Sequence, residues 1–289
     1  MAGSFYSDPS GYDILHAPGT AAEVDGLQRL EKRFAPTGRR GAWLEPACGT
    51  ARYLRVAAQR GRRVLGFDAS EGMIEYARAR LERLGPQVSR RATLLVADME
   101  TFDTAVASPF RAMGVSRGAR ADGNSGTRNI GRKPDATPRI TFAFNLINTF
   151  RHLESDAAAL AHLRAVRGVL ARGGVYALGV SLSGYGNEFP SEDVWEARRG
   201  KVHVRQVAQY TPPASRRQRF EQVHNVVVIQ RPNRDDEVQT SSYRLRTYNR
   251  AQFEALIERA GFEVAGHVDD AGRDAPIVEP GYGIWILEA

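Results

Sequence analysis

Three times between Gly41 and Met99 a short apolar run leads into a carboxylate. Ala42–Leu44 opens a strand that ends near Ala47, just past Glu45; Arg63–Phe67 ends at Asp68; Thr93–Val96 ends at Asp98. Thr50–Gln59 reads as a first helix. Glu71–Leu84 reads as a second, with Met73, Ile74, Ala77 and Leu81 on one face and Gly85–Pro86 as its stop. Strands alternating with helices predict an α/β fold around a parallel sheet. Ligands of such sheets bind outside the carboxyl ends of the strands, where all three carboxylates lie.

The alternation resumes further on. Ile140–Leu146 is a fourth strand. Ser155 can N-cap a helix carrying Leu160, Leu163, Val166 and Leu170, with Gly173 as its terminator, and Val175–Leu182 is a fifth strand. Residues 183–248 change character: Val202–Tyr210, Phe220–Gln230 and Val238–Tyr248 predict an antiparallel meander of three strands. Asn249 caps a helix over Arg250–Ala260 that Gly261 ends, and Phe262–Val268 and Tyr282–Leu287 are the last strands. Residues 111–139 interrupt the pattern with five glycines, seven basic residues and three sizeable apolar groups, Met113, Val115 and Ile130. Such a stretch buries too little to offset its ordering entropy and reads as a disordered basic insertion.

Composition narrows the classes. The chain of 289 residues is long enough to bury a core without staples. Cys48 is the only cysteine, which excludes an internal disulfide and a cysteine-cluster metal site and suits a cytoplasmic protein. No apolar run reaches the roughly 20 residues of a membrane helix, and Met1–Tyr12 shows no signal-peptide pattern. The net charge of +7 is concentrated in the insertion, and 37 of the 40 basic residues are arginine. That skew is a compositional bias, not a nucleic-acid patch. No metal site is expected, because the histidines lack acidic partners at ligand spacing.

The chemistry sits in the turns. After the first strand, Glu45-Pro46-Ala47-Cys48-Gly49-Thr50-Ala51 places small residues before a helix, so a ligand can approach the backbone closely. Asp68 stands 19 residues after Gly49, the spacing at which a carboxylate takes ribose hydroxyls. Asp98 can accept from the exocyclic amine of adenine while the Met99 backbone reads the ring edge. Each has a plainer reading: Glu45 and Asp68 as helix-start residues, Asp98 as a turn residue and Cys48 as packing.

Taken in order, these pieces resemble the motifs of class I S-adenosylmethionine-dependent methyltransferases. Glu45–Ala51 resembles the first, Phe67-Asp68-Ala69-Ser70 the second, Ala97-Asp98-Met99 the third and Phe144-Asn145-Leu146-Ile147-Asn148 the fourth. Leu170–Gly174 and Ala260-Gly261-Phe262 match the turns before the fifth and sixth strands. Ala47 and Ala51 depart from the usual glycines, and Ala51 is expected to resist a positive φ.

The resemblance implies a Rossmann-like seven-stranded sheet, mostly parallel with an antiparallel last strand. It also implies S-adenosylmethionine as cofactor and direct methyl transfer to a small-molecule acceptor. The implied domains are an N-terminal cap segment, 1–40; a core, 41–182 and 249–289; and an antiparallel β lid, 183–248. Cofactor contacts are expected from Tyr12, Glu45, Ala47, Cys48, Gly49, Asp68, Ala69, Met73, Asp98, Met99 and Asn145. Met73 stands where an apolar side chain covers adenine, and Asn145 where the methionine end lies. No catalytic residue is specified, since a sulfonium is an activated donor and positioning supplies much of the catalysis. His152 has a candidate catalytic position. His203 and His224 read as ordinary strand histidines. Tyr185, Arg205, Tyr210, His224, Tyr243 and Arg246 are candidate lid lining, with the inward face undetermined. A binding protein without turnover remains an alternative. So does a nicotinamide-dependent oxidoreductase, which the glycine spacing disfavours.

Overall fold

The computed structural model of the chain describes residues 8–35, 41–102 and 139–289. In chain order the elements are α1 (Pro9–His16), α2 (Thr20–Phe34), β1 (Ala42–Pro46), α3 (Arg52–Gln59), β2 (Val64–Asp68), α4 (Glu71–Glu82), α5 (Pro86–Ser89) and β3 (Ala92–Val96). They continue with β4 (Ile140–Asn145), a 3-10 turn (Thr149–His152), α6 (Asp156–Val169), β5 (Leu170–Leu182) and four consecutive strands, β6 (Ser191–Arg199), β7 (Val202–Thr211), β8 (Phe220–Gln230) and β9 (Glu237–Arg246). The chain closes with α7 (Arg250–Ala260), β10 (Glu263–Val268) and β11 (Gly281–Glu288).

Local chemistry sets the helix ends. The Ser70 hydroxyl accepts from the Met73 amide at 3.3 Å, and α4 buries Met73, Ile74, Ala77 and Leu81, the predicted face. Asn249 and Gln252 form a reciprocal capping box on α7, and Gly261 ends that helix at φ 82°. α6 stops at Val169, four residues short of Gly173. Leu170 has already turned to ψ 142° and pairs with Ile140, so strand pairing ends the helix before the glycine does.

Seven strands form one sheet in the order β10-β11-β5-β4-β1-β2-β3, with β11 antiparallel to both neighbours. Apolar layers cover both faces: Val24, Leu54 and Ile74 on one, and Leu163, Val166, Phe253 and Ile257 on the other. Burying each such side chain contributes about 1.5–3 kcal/mol. The Ala42 amide donates to the Arg139 carbonyl at 2.8 Å, so Arg139 belongs to the sheet margin; the rest of the 111–139 segment lies outside the described residues.

The second sheet has four strands, β6-β7-β8-β9, rather than the expected three. β6 was not predicted because five of its nine residues, Glu192, Asp193, Glu196, Arg198 and Arg199, are charged. Charge of that kind marks an edge strand, and among the described residues β6 pairs with β7 alone. α1 lies against this sheet, with Ile14 and Leu15 packed on Ala197, Val204, Val227 and Ile229. On its other side α1 meets α4, so it joins the second sheet to the helical layer of the first.

Candidate active site

Beyond β1 the backbone turns through three left-handed residues, Ala47, Gly49 and Ala51, at φ 50°, 52° and 55°. Ala51 thus adopts the conformation it was expected to resist. The turn is held from β2: the Cys48 amide donates to the Phe67 carbonyl at 2.9 Å and the Gly49 amide to Asp68 Oδ2 at 2.8 Å. Asp68 Oδ1 accepts from the Ser70 amide at 2.9 Å. Burial raises the Asp68 pKa, the two amides counter it, and nearby Asp98 raises it further. Each Asp68 oxygen retains a lone pair for a ligand hydroxyl.

Asp98 is exposed, and its Oδ1 accepts from the Glu100 amide at 2.6 Å. The adjacent Met99 carbonyl contacts His162 Nδ1 at 2.8 Å, while Nε2 faces the Tyr176 hydroxyl at 2.9 Å. Burial pushes His162 down to about 4, so the ring is neutral at pH 7. A carbonyl only accepts, so Nδ1 carries the proton and Nε2 accepts from Tyr176. His162 thereby ties the loop after β3 to β5.

A cavity of about 420 Å³ runs from the ends of β1 and β4 to the inner face of the second sheet. Of the residues selected in the sequence, Tyr12, Glu45, Ala47, Cys48 and Asn145 line it. Gly49, Asp68, Ala69, Met73, Asp98 and Met99 do not; they lie alongside, at or after the carboxyl ends of β1–β3. Glu45 is buried, its Oε2 has no hydrogen-bond partner, and burial drives its pKa well up despite Arg52. Asn145 Nδ2 donates to the Pro46 carbonyl at 2.9 Å and leaves Oδ1 unpartnered. Burial raises the Cys48 thiol well above its ordinary range, which removes it as a nucleophile, and pushes the Tyr12 hydroxyl up to about 12.

Among the lining residues not selected in the sequence, His16 and Arg52 stand out. His16 stacks on Tyr12 at 4.4 Å between ring centroids, and burial with the Arg52 charge pushes it down to about 4. Arg52 donates to Glu23, to the Tyr53 hydroxyl and, at 2.9 Å, to Thr20 Oγ1. The four-residue spacing of Tyr12 and His16 was a helical signal available in the sequence. Between them, Asp13 is fully buried. Its carboxylate accepts from Thr50 Oγ1 at 3.0 Å, from Arg55 and from the Tyr76 hydroxyl at 3.1 Å, and pairs with Arg199 at 2.9 Å. Burial opposes its charge, but Arg55, Arg199 and the Thr50 hydroxyl hold it below the ordinary carboxylate value.

The far wall comes from the second sheet. Of the candidate lid residues, Tyr210 and Tyr243 line the cavity. Arg205 and His224 are exposed, because alternation sends them to the face opposite Gln206 and Glu221. Tyr185 is engaged with Thr247 and Gln252, and Arg246 with Asp156 at 2.9 Å. His203 lies between Glu196 and Gln230, and His224 meets Ser242. Arg151 reaches Glu221 at 2.8 Å inside the cavity. His152 faces Tyr243 at 5.3 Å, and burial and the Arg151 charge lower its pKa. Asn148, at φ 61°, shapes the turn by bonding Ser181 twice. Gln206 Oε1 is buried without a partner. Among the described residues no group of three or more His, Cys, Asp or Glu is arranged to hold a metal, and no helix is long and apolar enough to cross a membrane.

Residues 44–116 match the family model of a methyltransferase domain. Solved structures share the architecture over nearly the whole chain. Streptomyces venezuelae DesVI is 19% identical at TM-score 0.65, covering 96% of this chain and 94% of its own. A sugar N-methyltransferase of a Streptoalloteichus species is 15% identical at TM-score 0.63, covering 100% and 94%. A SAM-bound amino pentose methyltransferase of Micromonospora echinaspora, involved in calicheamicin biosynthesis, is 18% identical at TM-score 0.61, covering 100% and 98%. At these identities the likeness is one of fold. No curated protein sequence matches significantly. The fold is that of the class I methyltransferases, and a stretch of its first half, residues 44–116, matches a methyltransferase-domain model.

Proposed function

We propose that the chain is an S-adenosylmethionine-dependent methyltransferase that methylates an amine of a small, hydroxyl-bearing acceptor of the amino-sugar kind. One observation carries the reading. Three buried oxygens with no partner, Glu45 Oε2, Asn145 Oδ1 and Gln206 Oε1, belong to residues that line one cavity, two at the sheet end and one at the lid. Unpartnered buried acceptors call for a ligand that donates hydrogen bonds to them, as ammonium and hydroxyl groups do. The sugar N-methyltransferase and the amino pentose methyltransferase support the same acceptor class.

The residues fit the cofactor. Asp68 offers lone pairs to ribose hydroxyls, Asp98 an acceptor to the adenine amine, and Met73 an apolar cover. The backbone of Ala47 to Gly49 allows close approach, Glu45 and Asn145 face the amino-acid end, and Arg52 offers a cation to its carboxylate. Bound there, the cofactor supplies a methyl group already activated by the sulfonium. The protein's task is to hold the amine in line and dry. Tyr12 and His16 close the cavity from α1, and Tyr210 and Tyr243 close it from the second sheet. His152, which lines the cavity beside Tyr243, is the base placed to receive the proton that an ammonium must shed before it is nucleophilic.

Calorimetry with S-adenosylmethionine, S-adenosylhomocysteine and NAD tests the first half; binding of the first two without the third is expected. Formation of S-adenosylhomocysteine with amino sugars, and not with their hydroxyl counterparts, tests the second. NAD binding without a response to S-adenosylhomocysteine rejects the assignment.

A further inference from the structure

A second cavity, of about 520 Å³, opens beside the first. The two share Tyr53, Ile147 and Asp193 among their walls, so they adjoin at these residues. Leu27 and Leu30 of α2 and Ile284 of β11 give it an apolar side. Tyr282 lies over Gly179, where a Cβ would come within 2.1 Å of the tyrosine hydroxyl, and that hydroxyl accepts from the Ile147 amide at 3.2 Å. Ile147, at the junction, is 58% exposed, a large apolar surface left open between the cavities.

The charged lining has one sign. Glu23, Asp193 and Asp270 line the cavity, and among the described residues no Lys, Arg or His does. Glu23 is paired with Arg52, whereas Asp193 and Asp270 have no counter-ion among the described residues. A phosphate or carboxylate would meet uncompensated negative charge here.

We infer that the second cavity seats the body of the acceptor, an amphipathic amine whose ammonium lies at the junction beside Asp193 and whose uncharged portion extends over Leu27 and Ile284. The inference rests on the methyltransferase reading and extends it: beyond its amine-bearing end the acceptor carries an uncharged portion with no anionic group at its far end.

The test uses the full chain loaded with S-adenosylhomocysteine and three probes, butylamine, octylamine and 8-aminooctanoate, with affinities from calorimetry. Each buried methylene strengthens binding about fourfold, so octylamine should exceed butylamine by at least about 20-fold even if partly seated. 8-Aminooctanoate should fall at least about tenfold below octylamine, and Asp270→Asn should narrow that gap. Gly26→Met should bring octylamine close to butylamine. Gly26 lines the cavity within α2, a Cβ there meets only Arg29 Nη2 at 3.7 Å, and methionine is the better helix former. Equal binding of butylamine and octylamine, no binding of either, or an octylamine affinity untouched by Gly26→Met overturns the inference. Loss of S-adenosylhomocysteine binding alone would instead reject the methyltransferase reading, since the amine series can also be measured on the bare protein.

Discussion

The two ends of the cavity, proposed above as its donor end at β1 and β2 and its acceptor end at the second sheet, are built by different means. At the donor end the turn after β1 is fixed through backbone amides: Cys48 donates to the Phe67 carbonyl, and Gly49 to the Asp68 carboxylate 19 residues away. At the acceptor end, long side chains meet across distant elements. Arg151 reaches Glu221, 70 residues on, and His152 packs on Tyr243. Backbone contacts preorganise a site for one invariant ligand. Side chains projecting from an antiparallel sheet can be exchanged without disturbing the fold, which suits an acceptor that differs between relatives. Asp13 is the joint: it binds Thr50 and Arg55 at the start of α3 and Arg199 on β6.

The largest expected effect comes from breaking that joint. Asp13→Ala leaves Arg55 and Arg199 facing each other in a buried site. Removing one partner of a buried charge network costs about 3–5 kcal/mol. The urea midpoint should fall sharply, and S-adenosylhomocysteine affinity with it, as α1 carries Tyr12 and His16 into the cavity. An unchanged midpoint would show that the two ends are independent.

Acid should act on both ends next. His16 and His162 are pushed from 6.5 to about 4 by burial, so the unfolded chain takes up protons first as pH falls. Their contribution is complete above about pH 6.5 and is lost as pH drops toward 4, at most about 3 kcal/mol each. Asp13 adds a later loss, as pH falls through its depressed value, below 3.8. In stability measured from pH 7.5 to 4, His162→Gln should flatten the upper part of this limb. An unaltered limb would remove His162 as its source.

A smaller effect should separate the ends outright. Asp68→Ala removes a charged acceptor at an open strand end, worth about 1.5–3 kcal/mol. S-adenosylhomocysteine should bind about 10- to 100-fold more weakly in a folded protein, with octylamine affinity on the bare protein unchanged. Equal losses for both ligands would mean that the site is one unit.

The same contrast governs what could be read from sequence. The strand ends that carry Glu45, Asp68 and Asp98 were legible because their determinants are local: each follows an apolar run, just as Asn249 caps its helix in place. The acceptor end was not, because alternation gives a period and not a face. Arg205 and His224 were candidates on the same footing as Tyr210 and Tyr243, and only the packing of α1 on Val204 and Val227 decides which side is inward. β6 escaped because an edge strand carries charge in place of an apolar signature. Asp13 gave no sign, since its partners lie 37, 42, 63 and 186 residues away.

The smallest effect concerns the two alanines of the donor turn. A left-handed residue other than glycine costs roughly 1–2 kcal/mol, and glycine relieves most of it at some cost in chain entropy. Ala47 is half-buried against the cavity, so its methyl is packed on one side only. Ala47→Gly should therefore raise stability by about 1 kcal/mol. Ala51 is fully buried, and losing its methyl forfeits about 0.8 kcal/mol of burial. Ala51→Gly should thus leave the unfolding midpoint nearly where it is. Cofactor affinity should stay within about twofold in both, because the bonds that hold the turn come from backbone amides that glycine retains. If both variants weakened cofactor binding instead, the alanine methyls would be holding the turn in shape, and the donor end would depend on side chains much as the acceptor end does.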